Sequence, residues 1–294
     1  DGAPDYPGVD RLWEMVARQR ITHLGISPTL VRALIPHGEE PVRRHDLSSL
    51  RILASTGEPW NPEPWLSLFN TVGQGRFPII NYAGGTEIGG GILTNVLLKP
   101  ISPITFNSRM PGMAAEIRDA QGQPVNGQLG ELVLARPWIG MTRSFWQEPE
   151  RYENSYFDRF PETWVHGDWA IRDGDGFWTI TGRSDDTLNV AGKRIGPAEM
   201  ESILVSHPDV LEAGAIGVPD QIKGEIPVCF VVLHPGVATS DALDRALLDM
   251  LDRQLGKAMR PRCLHYVQAL PKTRNGKVMR RVLRAAYLGE EEMP

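Results

Sequence analysis

Apolar positions in the first hundred residues switch between two periods. Over 9–20 they fall at Val9, Leu12, Trp13 and Val16, the spacing of one helical face. Residues 21–26 (ITHLGI) read as a buried strand. Residues 28–34 read as a short helix with Pro28 in its first turn, where a missing N–H costs nothing. Residues 49–54 (SLRILA) and 78–82 (PIINY) read as two more strands. Each runs into a glycine-bearing loop, Ser55-Thr56-Gly57-Glu58-Pro59 and Ala83-Gly84-Gly85-Thr86-Glu87. Alternation of this kind predicts a parallel α/β sheet over 1–100. Ligands of such sheets bind at the C-terminal ends of strands, where both loops fall.

The texture changes over 101–184. Short strand-like runs (AAEIRD, GELVLA, FWTITG) are separated by turn-rich stretches, and DGDG between apolar runs signals a hairpin. A small antiparallel β-barrel or sandwich is expected there. Residues 186–294 read as a separate α+β module. It has helices over 197–206, 240–255 and 278–287, and strands over 210–218, 225–233 and 263–267. The middle helix is amphipathic through Leu243, Leu247, Met250, Leu251 and Leu255.

Composition narrows the class. The chain has 294 residues, 41% hydrophobic and 23% charged, so it is neither disordered nor membrane-spanning. No run approaches the ~20 apolar residues of a membrane helix. A formal net charge of −5 offers no field for nucleic-acid phosphates. With 30 glycines and 24 prolines, the chain is rich in turns and strand ends rather than bundled helices. Cys229 and Cys263 cannot build a disulfide framework. Both sit in apolar runs and are expected to be buried free thiols, which points to a reducing, cytoplasmic compartment. The first residues, DGAPDYPGVD, are not a signal peptide, and without a starting Met the chain is expected to begin inside a longer protein.

Three constellations carry chemistry. In Ala83-Gly84-Gly85-Thr86-Glu87 the glycines let backbone N–H groups approach an anion. Thr86 can donate to a phosphate oxygen, and Glu87 can ligate a hard cation such as Mg²⁺. An ordinary strand-end turn would carry the same residues. In His166-Gly167-Asp168, followed by Gly182-Arg183-Ser184-Asp185-Asp186, an Asp can accept both hydroxyls of a ribose and an Arg can reach ribose or phosphate. A hairpin with a surface ion pair reads the same way. In Leu270-Pro271-Lys272-Thr273-Arg274-Asn275-Gly276-Lys277 a polar loop enters a helix, and Lys277 stands at its positive end. That placement is disfavoured by ~0.3–1 kcal/mol, which suggests an external anion. Arg280, Arg281 and Arg284 beyond it read as a solvated basic face.

Together these strings (STGEP, GGTE, HGD, ITGRSDDTLNVAGKRIGPAEMES and LPKTRNGKVMRR) resemble the AMP-forming acyl-CoA synthetases of the adenylate-forming superfamily. The likeness is greatest to acetyl-CoA synthetases and their relatives, and it covers essentially the whole chain. The resemblance implies an adenylate-forming fold, incomplete at the N-terminus: 1–184 as the C-terminal part of the large domain, a hinge at Asp185, and 186–294 as a mobile lid. It implies ATP, Mg²⁺ and CoA as cofactors and co-substrates, and a small-molecule carboxylate as partner.

By the same resemblance Gly57, Glu58 and Pro59 pack against adenine, with Asn81 and Tyr82 beside it. Asn81 stands where relatives carry an acidic residue. Thr86 contacts the α-phosphate, Glu87 holds Mg²⁺, and Asp168 takes the ribose diol. Arg183 and Arg194 reach ribose and phosphate, and Lys277 serves adenylation. Ala191 and Gly192 lie over the pantetheine tunnel. Val205, His207 and Val210 match a structural metal site built mostly from backbone carbonyls. Lys277 is also a candidate for a lysine acetyltransferase and deacetylase. Thr56, Gly84 and Gly85 match the acyl pocket. Acetyl-CoA synthetases carry a Trp where this chain has Gly84, so a carboxylate larger than acetate is expected. The family's Ser/Thr/Gly-rich phosphate loop is absent from these residues and is expected upstream. Two other readings compete: an adenylation domain feeding a carrier protein, and a non-catalytic nucleotide-binding module.

Overall fold

Trp13 and Val16 share one face of α1 (Arg11–Gln19) and are buried there, while Arg20 ends the helix in a left-handed cap. This is the amphipathic pattern turned into packing. The computed structural model describes residues 5–184, 186–190, 193–221, 224–273 and 278–289. The chain divides into two compact units, Asp1–Ile180 and Thr181–Pro294.

In the first unit α1 is followed by β1 (His23–Gly25), α2 (Pro28–Leu34), α3 (Glu40–Arg43), β2 (Ile52–Ser55), α4 (Pro62–Ser67), β3 (Ile79–Gly85), β4 (Gly90–Thr94) and β5 (Ser108–Arg109). Ser27 caps α2, its hydroxyl accepting the Leu30 N–H at 3.2 Å. The sheet runs β1-β2-β3-β4-β5. Its first three strands are parallel, as expected, with Ser55 opposite Asn81. β4 and β5 are antiparallel, which corrects the all-parallel expectation. The physical reason is the link. Only a short 3₁₀ turn, Thr86–Ile88, separates β3 from β4, and a parallel crossover needs a dozen residues or more. Trp13, Leu24, Val31, Leu53, Trp65 and Ile79 form the core between this sheet and its helices.

A second sheet follows, ordered β6 (Ala115–Arg118), β7 (Gly130–Leu134), β8 (Trp164–Arg172) and β9 (Trp178–Arg183), with α5 (Pro149–Tyr156) between β7 and β8. Of the antiparallel barrel or sandwich expected, the described residues form an open four-stranded antiparallel sheet and no closed barrel. Each edge finds a single bridge instead of a full ladder: Arg118 to Pro124 on β6, and Phe106 to Trp178 on β9. Its apolar face packs with β4 through Ile92, Leu93, Leu132, Leu134 and Trp164. Tyr156 stacks on Trp164 with centroids 3.8 Å apart.

The second unit contains β10 (Leu188–Val190), β11 (Lys193–Ile195), α6 (Pro197–Val205), β12 (Val210–Asp220), β13 (Gly224–Leu233), α7 (Asp241–Leu255), β14 (Leu264–Tyr266) and α8 (Arg280–Leu288). The sheet order is β11-β10-β13-β12, with β14 parallel to β13. The two long strands alternate between two cores. Ala213, Ala215, Cys229 and Val231 meet Met200, Leu204, Leu243 and Leu247 of α6 and α7. Ile216, Val218, Val228 and Phe230 meet Leu270 and Leu283 on the α8 side. Helices on both faces explain why these strands read as continuous apolar runs. No described helix is long and apolar enough to cross a membrane.

Candidate active site

The parallel pairing of β2 with β3 sets the loops that follow them side by side at one sheet end. Asn81 is buried on β3. Its N–H donates to the Asn95 side-chain oxygen at 2.9 Å, and its carbonyl accepts the Asn95 N–H at 3.0 Å. Asn95 also donates to the Thr105 carbonyl at 3.2 Å. No local pattern marked Asn95, because its role is to brace a residue 14 positions away. Tyr82, next along, is exposed.

At the β2 end, Thr56 is half-buried, while Gly57 and Pro59 are exposed. The Glu58 carboxylate turns toward α2. It accepts the Thr29 N–H at 2.8 Å and the Thr29 hydroxyl, and it pairs with Arg32 at 2.5 Å. The 57–59 turn is thereby pinned to the first residues of a helix. Trp60 is buried and donates to the Ser55 hydroxyl at 3.1 Å.

The 3₁₀ turn after β3 holds Thr86 exposed and Glu87 half-buried. The Glu87 carbonyl accepts the Thr142 N–H at 2.7 Å, which fixes the turn. His166 and Asp168 lie two apart on β8, either side of Gly167, whose φ of 81° falls at an irregularity in the β7–β8 ladder. His166 Nε2 and Asp168 Oδ2 are 3.5 Å apart, both nearly buried. The two motifs converge at Gly85. A Cβ there would stand 3.1 Å from Glu87 Oε2 and 3.2 Å from His166 Cε1. The bare backbone of Gly85 lets the Glu87 carboxylate and the His166 imidazole come up against it.

Gly84 has a different cause from the one expected. A Cβ there would lie 2.1 Å from the Gly90 carbonyl oxygen and 2.7 Å from Gly91 Cα. Close approach of β4 at the irregular Ala83/Gly84 register requires glycine. The side on which a side chain would leave the backbone is filled by main chain. Gly84 is thus explained by the approach of β4 and does not by itself open room for an acid larger than acetate.

In the second unit Arg183 is the last residue of β9, and Arg194 sits on β11 with its backbone paired to Asn189. Val205 ends α6 and Val210 starts β12. Between them the His207 carbonyl accepts the Val210 N–H at 3.0 Å, and His207 Nδ1 accepts the Asp209 N–H at 3.2 Å. Asp185, Ala191, Gly192 and Lys277 lie outside the described residues. The basic stretch after Lys277 is not simply a solvated face. Arg280 is largely buried against Glu201 and Asp186, and Arg284 donates to the Gly217 carbonyl at 3.1 Å. Both cysteines are free thiols. Cys229 is buried as expected, whereas Cys263 is only half-buried, with its sulfur 3.1 Å from His265 Nε2.

Residues 1–146 match the AMP-binding enzyme family, and 199–277 match the AMP-binding enzyme C-terminal domain. The chain belongs to the AMP-binding enzymes, and its fold is that of the adenylate-forming ligases. It is 43% identical to an acetyl-coenzyme A synthetase of Pyrobaculum aerophilum over 98% of this chain and 44% of that protein. It is 39% identical to one of Rubrobacter xylanophilus over 100% of this chain and 46% of that protein. Among solved structures, an acetoacetyl-CoA synthetase from Streptomyces lividans superposes with a TM-score of 0.85 at 30% identity. That match covers 96% of this chain and 44% of the other. An anthranilate CoA ligase in complex with anthranoyl-AMP gives 0.79 at 31% identity, over 97% and 53%. The chain thus spans a little under half the length of the curated relatives it matches.

Proposed function

We propose that the protein carrying this chain activates a carboxylic acid with ATP to an acyl adenylate and then transfers the acyl group to CoA, releasing AMP and pyrophosphate. The observation that carries this reading is the order of the two matched domains, with the Gly85–Glu87 turn and the His166 side chain brought together within the first compact unit. Similarity to an acetyl-CoA synthetase and to an acetoacetyl-CoA synthetase supports acid–CoA ligation and a short acid of that class.

In the first step a carboxylate oxygen attacks the α-phosphorus and the bond to pyrophosphate breaks. The nucleophile is already ionised, so the task is to bring two anions together. In this reading Thr86 donates to the α-phosphate, and the 57–59 turn receives adenine with Asn81 and Tyr82. Asp168 accepts from the ribose hydroxyls, with Arg183 and Arg194 toward ribose and phosphate. The Lys277 ammonium faces the charge that develops on the phosphate oxygens. Glu87 suits Mg²⁺. It is a single half-buried carboxylate beside the exposed Thr86, and no group of three or more His, Cys, Asp or Glu side chains among the described residues could cage a metal ion. Such a site fits a cation that keeps waters and leans on substrate phosphates. When bound, Mg²⁺ would neutralise phosphate charge. In the second step the CoA thiolate attacks the acyl carbonyl carbon and AMP leaves. Ala191 and Gly192 then line the pantetheine path, and Asp185 is the pivot that exchanges Lys277 for that loop. Two free thiols support a reducing compartment such as the cytoplasm.

The test is acid-dependent pyrophosphate exchange across a series of straight-chain acids, followed by thioester formation, in the whole protein. Lys277→Ala and acetylation of Lys277 both remove the charge. Each is expected to lower exchange by about 10²-fold or more while sparing thioester formation from supplied acyl adenylate. No exchange with any acid in the series, in the presence of ATP and Mg²⁺, overturns the reading.

A further inference from the structure

The segment between β7 and α5 crosses the Thr86–Ile88 turn as a strap. The Thr142 N–H donates to the Glu87 carbonyl at 2.7 Å, and the Met141 N–H closes a tight bend on the Trp138 carbonyl at 3.1 Å. Main chain meets main chain at two glycines. A Cβ on Gly89 would stand 2.8 Å from the Gly140 carbonyl oxygen, and one on Gly140 would stand 2.6 Å from the Ile88 carbonyl oxygen. Only backbone therefore fits between strap and turn. The near end of the strap is seated by the Trp138 indole. It lies over Gly112 and beside Gly90 of β4, where added Cβ atoms would come within 2.7 and 3.4 Å of it.

The far end is held by Tyr152 of α5. This residue is buried, and its hydroxyl donates to the Thr142 carbonyl at 2.6 Å. Its ring is fixed by Phe145, Tyr156 and Trp164, at centroid distances of 5.6, 5.5 and 6.0 Å. Thr142 thus accepts from Tyr152 and donates to Glu87, so two hydrogen bonds connect a rigid phenol to the backbone of that carboxylate's residue. Gly85, at the head of the turn, has no side chain with which to cap it. The placement of the turn is left to what packs against it.

We propose that Tyr152 is a positioning residue for acid activation. Through Thr142 it holds the Thr86–Ile88 turn, and with it the Glu87 carboxylate, in the placement that receives magnesium on the substrate phosphates. The proposal rests on the reading of Glu87 given above. Its signature is a split between the half-reactions. The first breaks a polyphosphate and draws on the cation. The second breaks an acyl–AMP bond with no polyphosphate present.

The test uses the whole protein. Tyr152→Phe removes the hydroxyl and keeps the ring. Without metal or nucleotide, amide exchange at Gly89 and Thr142 is expected to quicken about 10-fold, while amides of α1 keep their wild-type rates. The kcat for pyrophosphate exchange should fall about 10- to 100-fold, the scale of a small misplacement of a catalytic group. The Mg²⁺ concentration giving half-maximal exchange should rise, and thioester formation from supplied acyl adenylate should stay near wild type. In a Glu87→Gln background Tyr152→Phe should add no further loss, because it acts through that carboxylate. Unchanged amide exchange, unchanged pyrophosphate exchange, an equal loss in both half-reactions or a further loss in the Glu87→Gln background overturns the proposal. Gly140→Ala drives the strap off the turn at the Ile88 carbonyl, and it carries the same test if Tyr152→Phe does not fold. If Glu87→Gln alone leaves exchange and its Mg²⁺ requirement intact, the reading of Glu87 falls and this proposal falls with it, which is a different result from a silent Tyr152→Phe.

Discussion

Two residues show how single side chains are committed before any substrate arrives. Glu58 was expected beside adenine, yet its carboxylate is engaged by Thr29 and Arg32. In the proposed reading the turn itself would meet adenine, with Glu58 as its anchor. Glu58→Ala removes the acceptor of a backbone N–H and the partner of a guanidinium. Because the pair is about a third exposed, the expected cost is only about 1–2 kcal/mol, read as a lower urea midpoint. Glu58→Gln should recover part of it, since the amide oxygen still accepts. An unmoved midpoint in the Ala variant would mean the turn is held by other contacts. Cys229 is the second case. Burial pushes its thiol well above the ordinary range. Its contribution to stability is complete below the unfolded value, and it is lost as pH rises beyond roughly 8.5. Denaturation at pH 7.5 and 9.5 should show a fall in stability that is smaller in Cys229→Ala. In native protein a disulfide reagent should label Cys263 and spare Cys229. Equal labelling of both thiols would contradict this burial.

At the scale of elements, the β3–β4 turn-back organises the site. The Thr86–Ile88 turn is too short for a crossover, so β4 returns antiparallel and its backbone runs against Gly84. Gly84→Ala is expected to destabilise this part of the sheet by about 1–3 kcal/mol, because main chain rather than a flexible side chain must move. Faster amide exchange in β3 and β4, confined to that hairpin, is the readout. A fully tolerated Ala would restore the idea of open space at this position.

For the whole molecule, the decisive feature is two units with cores of their own. Leu247, Leu204, Cys229 and Val231 are fully buried within the second unit, on one side of its sheet, and Ile216, Val228 and Leu283 pack on the other. A sheet covered on both faces meets the requirement for independent folding. Residues 181–294 expressed alone are expected to unfold in one cooperative transition, seen by far-UV circular dichroism and by tryptophan-independent denaturant curves. A fragment without a cooperative transition would mean that the units depend on each other to fold.

The sequence by itself determined where β1, β2, β3, β6, β7, β9, β12, β13 and β14 and the helices α1, α2, α6, α7 and α8 lie, because their periods of 2 and 3.6 are local properties of the chain, but it did not mark β4, β5, β8, β10, β11, α3, α4 or α5. It determined which loops end β2 and β3, and the order of its motifs identified the family. Tertiary structure alone decided the rest. Glu58 meets Arg32 across 26 positions, and Arg280 meets Glu201 and Asp186 across 79 and 94. A local pattern carries no information about such pairs, so Arg280 read as a solvated charge when it is a buried clasp. The open second sheet and the antiparallel β4 follow from how edges and short links close in space. The glycine at 84 is explained only by the carbonyl of Gly90 that comes up against it. Periodicity reports which face of an element is apolar, but the identity of what lies against that face is fixed only when distant segments pack.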